Sequence, residues 1–323
     1  MAIRARILAA PALALLLLAG GAITAAAYEP GTSGLLFLRL GVGERAAGMG
    51  EAYTALAADA TALYWNPAGL AAVERTQVHF MHNEWISSVR QEFAGLAHPT
   101  RYGTFAVGIT GLNMDELELR EELPSSEPLG HFSAFDIAVH GAYGRELLPG
   151  VQAGLGVKWI YSRLYEENAK GFLVDLGLRH ETKIPGLTLG AALLHFGAKF
   201  KYVSEEFDAP RTIKLGAAWL APFHPAEGDV RLAYDLLLLS DSDTSTDADL
   251  GASKSLNARN HVGVEYDYQG LAALRAGYKA GYDSQGLSVG AGLRWHQVMF
   301  DYAFLAVSND LGSVHRLGLT LDI

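Results

Sequence analysis

The chain has 323 residues, half of them hydrophobic, with 36 glycines, no cysteine and a formal net charge of −10. The absence of cysteine excludes a disulfide framework and a lipid attached to an N-terminal cysteine. The negative charge argues against nucleic acid or an anionic membrane surface as a partner.

The first 27 residues have the layout of a secretory signal peptide. Arg4 and Arg6 give a positive start, an apolar run covers residues 7 to about 18, and Ala25-Ala26-Ala27 offers a cleavage pattern. The alternative is a membrane anchor, but a spanning helix needs about 20 apolar residues. We therefore expect cleavage before Tyr28 and export. After that site no apolar run is long enough to predict a transmembrane helix.

Residues 28–75 do not show the alternation of a strand. Between residues 41 and 73 about half of the residues are alanine or glycine. The motif Asn66-Pro67-Ala68-Gly69 predicts a short helix with an asparagine cap and a proline in its first turn. Such a thin segment can fold into the lumen of a wide barrel, and the alternative is a periplasmic tail with a helical hairpin. We assign the plug role to Arg45, Met49, Gly50, Asn66, Pro67, Ala68 and Gly69.

From about residue 76 onward the sequence alternates with a period of two. Leu155 and Trp159, for example, alternate with Gly156 and Lys158. This period predicts β-strands that each have an apolar face and a polar or small face. Fourteen such segments lie near residues 76–84, 91–99, 103–111, 132–141, 151–163, 172–180, 187–196, 211–220, 229–239, 259–268, 271–279, 287–296, 297–305 and 314–323.

These segments predict an all-β fold, a transmembrane antiparallel barrel of about fourteen strands with a small helical plug. An even number of runs of about ten residues is typical of bacterial outer-membrane barrels. In a soluble β-sandwich, the alternative, aromatic residues would not gather near strand ends. Here they lie on the apolar face in the pattern of interfacial girdles: Trp159, Tyr161, Trp219, Tyr266, Tyr268, Trp295 and Tyr302.

Connection lengths alternate along the chain. The longest connections are expected at 112–131, 197–210 and 240–258, and Gln269-Gly270 and the 296–297 junction are the tightest. Outer-membrane barrels alternate short periplasmic turns with long external loops. This pattern predicts that both termini are periplasmic. The domain boundaries expected are 1–27 for the signal peptide, 28–75 for the plug and 76–323 for the barrel.

Charged residues fall on the polar side of the alternation. An Arg or Lys that faces lipid at mid-depth costs roughly 2–4 kcal/mol, so these side chains are expected to face the interior. Arg45 is expected to pair with an inward carboxylate such as Asp175, Asp235 or Glu265. The inward set is Lys158, Asp175, Arg179, Lys214, Arg231, Asp235, Glu265, Asp267, Arg275, Lys279, Arg294 and Asp301.

The run FLRLGVGERAAGMGEAYTALAADATALYWNPAGL at residues 37–70 resembles the N-terminal signature of the PorV/PorQ family, a branch of the FadL-like barrels. The ending HRLGLTLDI also resembles the assembly signal of outer-membrane proteins, although Ile323 stands where an aromatic residue is usual. The resemblance implies a fourteen-stranded barrel with an N-terminal plug. It also implies one of two functions: handling of type IX secretion cargo, or passage of hydrophobic solutes.

Other motifs carry little weight. The run Gly41-x-Gly43-x-x-Ala46 imitates a dinucleotide fingerprint without the βαβ units that this needs, and Gly286-x-Ser288-x-Gly290 lies within a strand rather than at a nucleophile elbow. The acidic residues of loop 241–249 lack the glycine and glutamate of a calcium loop, which leaves a solvated loop or a weak divalent-ion site.

We therefore expect no enzyme, no cofactor and no metal site. The partners expected are outer-membrane lipid, with either secreted cargo or secretion-machine subunits, or alternatively a hydrophobic small molecule. The sequence does not decide between cargo secretion and the passage of a hydrophobic molecule. Secretion is the main interpretation, and passage is the alternative.

Overall fold

The computed structural model describes residues 34–86, 89–120, 127–240, 256–282, 284–308 and 312–323. The expected cleavage site before Tyr28 and the acidic loop 241–249 lie outside these ranges.

Fourteen of the strands within the described ranges form one closed antiparallel barrel. Each barrel strand pairs with the next one along the chain, except that β7 pairs with β10, and β1 pairs with the final strand to close the ring. The predicted fold class is therefore confirmed. The strands are β1 (Gln77–Glu84), β2 (Val89–Thr100), β3 (Gly103–Leu119), β4 (Gly130–Leu148), β5 (Val151–Leu164), β6 (Glu167–Glu181), β7 (Leu187–Gly197), β8 (Phe200–Tyr202), β9 (Glu205–Phe207), β10 (Thr212–Leu220), β11 (Gly228–Ser240), β12 (Leu256–Tyr268), β13 (Ala272–Ala280), β14 (Gln285–Trp295), β15 (Val298–Val307) and β16 (Ser313–Asp322).

Alternation along each strand separates an apolar outer face from a polar inner face. On β5 the outward Leu155 and Val157 are 47% and 42% exposed, whereas Lys158 between Val157 and Trp159 is 1% exposed. The inward orientation of the charged set is confirmed for its most buried members, which are Lys158, Asp175, Lys214, Asp235, Glu265, Arg275, Lys279 and Asp301.

Short helices occur mainly in the segment before β1. They are α1 (Glu44–Gly48) and α2 (Ala62–Trp65), with 3-10 turns at Leu36–Arg39, Pro67–Ala72 and Pro225–Glu227. Within the described ranges, no helix has both the length and the apolar character that crossing a membrane requires.

The two ends of the barrel differ. At the terminal end, Gln77 pairs with Asp322 and the connections are short, such as 101–102, 149–150 and 296–297. The other end, here called the loop end, has most of the longer connections. One prediction is wrong in extent: much of the expected loop 112–131 is strand, because β3 and β4 continue pairing to Leu119 and Gly130.

Two other connections at the loop end also differ from expectation. The segment 197–210 contains the β8–β9 hairpin rather than only loop. The connection between β5 and β6 is just Tyr165 and Glu166, because both strands extend beyond their predicted ends.

Trp219 also differs from the expected exposed girdle, because it is 6% exposed and packs with Leu187, Val230 and Leu232.

Candidate functional site

The barrel interior contains the luminal segment, defined here as residues 34–75. Its Met49, Tyr53, Trp65 and Leu70 are at most 1% exposed. The 3-10 turn at Pro67–Ala72 packs against β4, β5 and β6, and α1 packs against β13, β14, β15 and β16 on the other side of the ring. The segment therefore bridges two walls of the barrel.

Asn66 connects the luminal segment to itself and to the wall. Its Oδ1 accepts a hydrogen bond from the Ala68 N–H at 3.1 Å, which caps the turn that Pro67 begins. Its Nδ2 donates to the Thr54 carbonyl at 2.8 Å and to the Leu178 carbonyl of β6 at 3.0 Å. The Gly69 N–H donates to the Asn66 carbonyl at 2.9 Å. The amide is fully buried, so all three side-chain bonds replace bonds to water.

Glycines of the wall let the luminal segment approach closely, as at Gly177 and Gly277. A Cβ at Gly177 of β6 would lie 2.1 Å from the Asn66 Oδ1. A Cβ at Gly277 of β13 would lie 2.0 Å from the backbone nitrogen of Gly50, which itself has a φ of 62°. Met49 beside it is fully buried against Ala233. Side chains at these glycine positions would force the segment away from the wall.

Arg45 of α1 binds Glu265 of β12 through two hydrogen bonds of 2.8 Å, from Nε to Oε2 and from Nη2 to Oε1. Glu265 also accepts hydrogen bonds from Arg275 at 2.8 Å and from Arg231 at 3.2 Å. Arg275 reaches Asp301 at 2.5 Å. Of the three carboxylates expected as partners of Arg45, Glu265 is the one that binds it.

The other two expected carboxylates have different partners. Asp235 Oδ2 accepts hydrogen bonds from the Tyr53 N–H at 3.0 Å, the Thr54 N–H at 2.9 Å and the Thr54 hydroxyl at 2.6 Å. Asp175 forms an ion pair of 2.6 Å with Lys158 and accepts the His195 N–H at 2.8 Å. Asp235 thus holds the luminal segment, whereas Asp175 stabilises the wall itself.

Glu51 presents a buried carboxylate to the loop-end half of the lumen. Its Oε1 lies 3.2 Å from Lys279 Nζ and 3.8 Å from Arg316 Nη2. Burial by itself would raise the pKa of Glu51, but the charges of Lys279 and Arg316 outweigh it and lower the pKa to about 2. The carboxylate is therefore charged at neutral pH and fixes the luminal segment between two basic strands.

Glu44, in the terminal-end half of the lumen, differs from Glu51 because its pKa is raised and not lowered. It is 1% exposed, and neither carboxyl oxygen has a hydrogen-bond partner among the described residues. Burial raises its pKa to about 8, although Arg316 and Arg275 act in the other direction. Its closest titratable neighbour is His79 of β1, whose Nε2 lies 3.5 Å from Oε2. The neutral acid is therefore the prevailing form at neutral pH.

The luminal segment separates two cavities. The loop-end cavity has a volume of about 240 Å³ and is lined by aromatic and aliphatic side chains together with Arg39, Glu51, Lys214, Arg259 and Lys279. The terminal-end cavity, of about 300 Å³, is lined by charges of both signs around Arg45 and Glu265. The two volumes therefore differ in chemistry: one is largely apolar and basic, and the other is a mixed charge network.

Two apolar hollows lie nearby. One of about 530 Å³ at the loop end shares Leu36, Leu40 and Trp85 with the loop-end cavity, so the two adjoin. The other, of about 830 Å³, lies on the outer face of the wall, from β14–β16 across β1 and β2 to β3 and β4, and includes the exposed Phe80 and Leu317. An apolar molecule would find favourable surface in the loop-end hollow.

Sequence reasoning missed Glu44, Glu51 and Arg316 as members of this site. Arg316 stands on the polar side of the last strand, and both glutamates stand in the alanine-rich segment. Acidic residues in an otherwise small and apolar segment, next to strands with basic inner faces, are the signal that could have identified them.

Comparison with known proteins establishes the fold but not a family. A family model described as "Uncharacterised protein family (UPF0164)" matches residues 23–168, which is less than half of the chain. No curated protein sequence matches the chain.

Similar solved structures are channels. The CymD monoaromatic hydrocarbon channel has a TM-score of 0.58 at 14% identity, over 88% of this chain and 98% of that one. The Pseudomonas putida toluene transporter TodX has a TM-score of 0.59 at 12% identity, over 87% of this chain and 96% of that one. A TodX mutant, deltaS2S3, has a TM-score of 0.56 at 13% identity, over 87% and 97% of the two chains. At such identities the similarity establishes the shared barrel fold.

Proposed function

We propose that the protein is an outer-membrane channel that binds and passes small hydrophobic molecules, with the luminal segment as its plug. The apolar outer face of the closed barrel suits a lipid environment, because a closed sheet leaves no unpaired backbone edge. The short connections at the terminal end favour a periplasmic position for that end and for both termini.

The observation that carries this proposal is that the two loop-end volumes adjoin. The apolar hollow shares Leu36, Leu40 and Trp85 with the cavity above the luminal segment. A hydrophobic molecule that reaches the loop end would therefore meet apolar surface up to Tyr64 and Trp65. Onward passage requires the luminal segment to shift, because this segment separates the loop-end cavity from the terminal-end cavity.

Similar solved proteins agree with this choice between the two functions that the sequence left open. CymD and TodX are named as channels or transporters of monoaromatic hydrocarbons and toluene. The type IX secretion role implied by the PorV/PorQ resemblance has no such support. It stays a prediction from the sequence, and solute passage is the function we prefer.

Uptake of toluene by intact cells tests the proposal. Cells that carry the protein in their outer membrane should take up dilute toluene faster than cells without it. Leu237 lines the loop-end cavity, and its neighbour Leu236 lies on the outward face of β11. Leu237→Trp should fill the cavity and slow uptake, whereas Leu236→Trp is the matched control and should not. Heat-modifiable migration checks that each variant folds. Equal uptake with and without the wild-type protein would refute the proposal.

A further inference from the structure

The loop-end hollow, which adjoins the loop-end cavity, has a mostly apolar lining with one carboxylate in its wall. Its volume of about 530 Å³ lies within the roughly 300–1,000 Å³ of sites for drug-sized ligands. Aromatic and aliphatic side chains surround it, among them Phe37, Trp85, Leu112 and Met114. Asp136 of β4 is the one acidic residue among the lining residues that the structure describes. A ligand here would therefore have many apolar contacts and a single acidic one.

Two hydroxyl groups lie next to Asp136 in the wall of the hollow. Asp136 of β4 is paired directly with Ser162 of β5, whose hydroxyl donates a hydrogen bond to Asp136 Oδ1. A serine hydroxyl has a single hydrogen, so Tyr202 must be the donor in its own hydrogen bond with Ser162 Oγ. Both hydroxyl groups thus orient their hydrogens toward the carboxylate. They stabilise its negative charge, but they supply no positive charge.

The part of the chain that the structure describes provides no counter-ion for Asp136. No ion pair joins this carboxylate to a basic side chain of the described residues. Arg163, the one basic residue in the lining, is exposed, and its Nε donates to the Tyr165 carbonyl at 3.1 Å. A carboxylate surrounded by apolar side chains is poorly solvated, so a cation that reaches it is favoured.

We infer that the loop-end hollow binds small hydrophobic amines, with the apolar part of the ligand among the aromatic and aliphatic side chains and the ammonium group at Asp136. This ligand class rests on the proposed function and specifies it further. The ammonium group would donate charge-assisted hydrogen bonds to the carboxylate. A neutral hydrocarbon would instead displace water from the carboxylate without replacing its hydrogen bonds.

Binding of benzylamine, its neutral analogue benzyl alcohol, and toluene to the purified protein tests this ligand class. Quenching of tryptophan fluorescence at pH 7 is a suitable readout, because Trp85 lines the hollow. We expect benzylamine to bind at least about ten-fold more tightly than benzyl alcohol, a ratio that corresponds to about 1.4 kcal/mol.

Asp136→Asn should reduce this ratio to below about three-fold, because the amide keeps the size of the side chain and removes its charge. Asp115→Asn is the matched control and should preserve the ratio, since Asp115 is exposed and pairs with Arg90 outside the hollow. Both substitutions change the net charge of the protein equally, so a general attraction of cations to an acidic protein would affect both alike. Heat-modifiable migration checks that each variant folds.

The wild-type measurement is decisive even if the Asp136 variant does not fold. Equal affinity for benzylamine and benzyl alcohol would overturn the amine preference, and toluene binding would then leave the proposed function standing. Binding of none of the three compounds would contradict both. A ratio that survives Asp136→Asn in a folded protein would overturn the placement of the ammonium group at this carboxylate.

Discussion

Arg45 of α1 and Glu265 of β12 are 220 positions apart in the chain, yet two hydrogen bonds of 2.8 Å join their side chains. Glu265 is 1% exposed, whereas the Arg45 side chain is 30% exposed and faces the terminal-end cavity. The pair therefore holds the luminal segment to the wall at the border of a water-accessible space. It is the natural place to loosen the segment without disturbing the barrel.

Arg45→Met should loosen the luminal segment while the barrel stays folded. Arg231 and Arg275 still compensate Glu265 in this variant, so the loss is limited to hydrogen bonds with a charged group, about 1.5–3 kcal/mol. Single-channel recordings in planar bilayers should show more frequent openings than for the wild type. Arg101→Met, at an exposed turn, is the control. Identical opening frequencies in the Arg45 variant and the wild type would show that the pair does not hold the segment.

Deletion of residues 41–73 should leave a barrel that is still heat-modifiable and has a much higher single-channel conductance. The reason is that this stretch occupies the space between the two cavities, and the barrel strands begin only at Gln77. The same bilayer measurement checks the result. Unchanged conductance would mean that the segment does not close the lumen in the membrane.

Asn66→Ala should release the Pro67–Ala72 turn from its neighbours. Capping alone is worth about 1 kcal/mol. The substitution also removes the amide that donates to the carbonyls of Thr54 and Leu178, and the buried Thr54 carbonyl left without its donor costs roughly 1–3 kcal/mol more. Hydrogen exchange should accelerate in the turn and not in β12, which Asn66 does not contact. Uniform acceleration across the barrel would instead indicate global unfolding.

Docking of α1 should weaken as pH rises from about 4.5 to 8. The pKa of Glu44 is raised by burial from 4.5 to about 8, so in this range the docked segment holds a proton that the released segment loses. The docked state of α1 is therefore most stable near pH 4.5, and its stability falls as the pH rises toward 8. Around Glu44 lie His79, Asp301, Arg275 and Arg316.

Channel recordings across this pH range test the role of Glu44. The wild type should open more often as pH rises, and Glu44→Gln should remove most of that dependence because the amide does not ionise. If the Gln variant keeps the full pH response, another group of the cluster is responsible, with His79 the next to test.

Labelling of single cysteines should establish the orientation of the barrel. Lys201→Cys places a thiol on the exposed β8–β9 hairpin at the loop end, and Gln269→Cys places one in an exposed turn at the terminal end. An impermeant maleimide applied to whole cells should label the first and not the second. The native chain has no cysteine, so the unsubstituted protein is not itself labelled. The reverse pattern would invert the proposed topology.

Much of the architecture could be read from local patterns. The period of two determines which side chains share a face, and a charge such as that of Lys158 is then expected inside because lipid does not solvate it. The short motif around Asn66 likewise predicted its own cap. The sequence prediction made β3 and β4 too short, because the ends of these strands are more polar than their apolar middle parts.

The contacts of the lumen required the tertiary structure. Closure of the ring by β1 and β16 places Arg316 near Glu51, and the register between β10 and β11 pairs Lys214 with Leu237 and Asp235 with Gly216. Which of three inward carboxylates would bind Arg45 depended on where α1 docks. By itself, therefore, the sequence determined the strands, their two faces and the small-residue segment, because these depend on neighbouring residues. Only the closed barrel decided the ion pairs and the cavities, because they depend on strand register and on how the segment packs across the lumen.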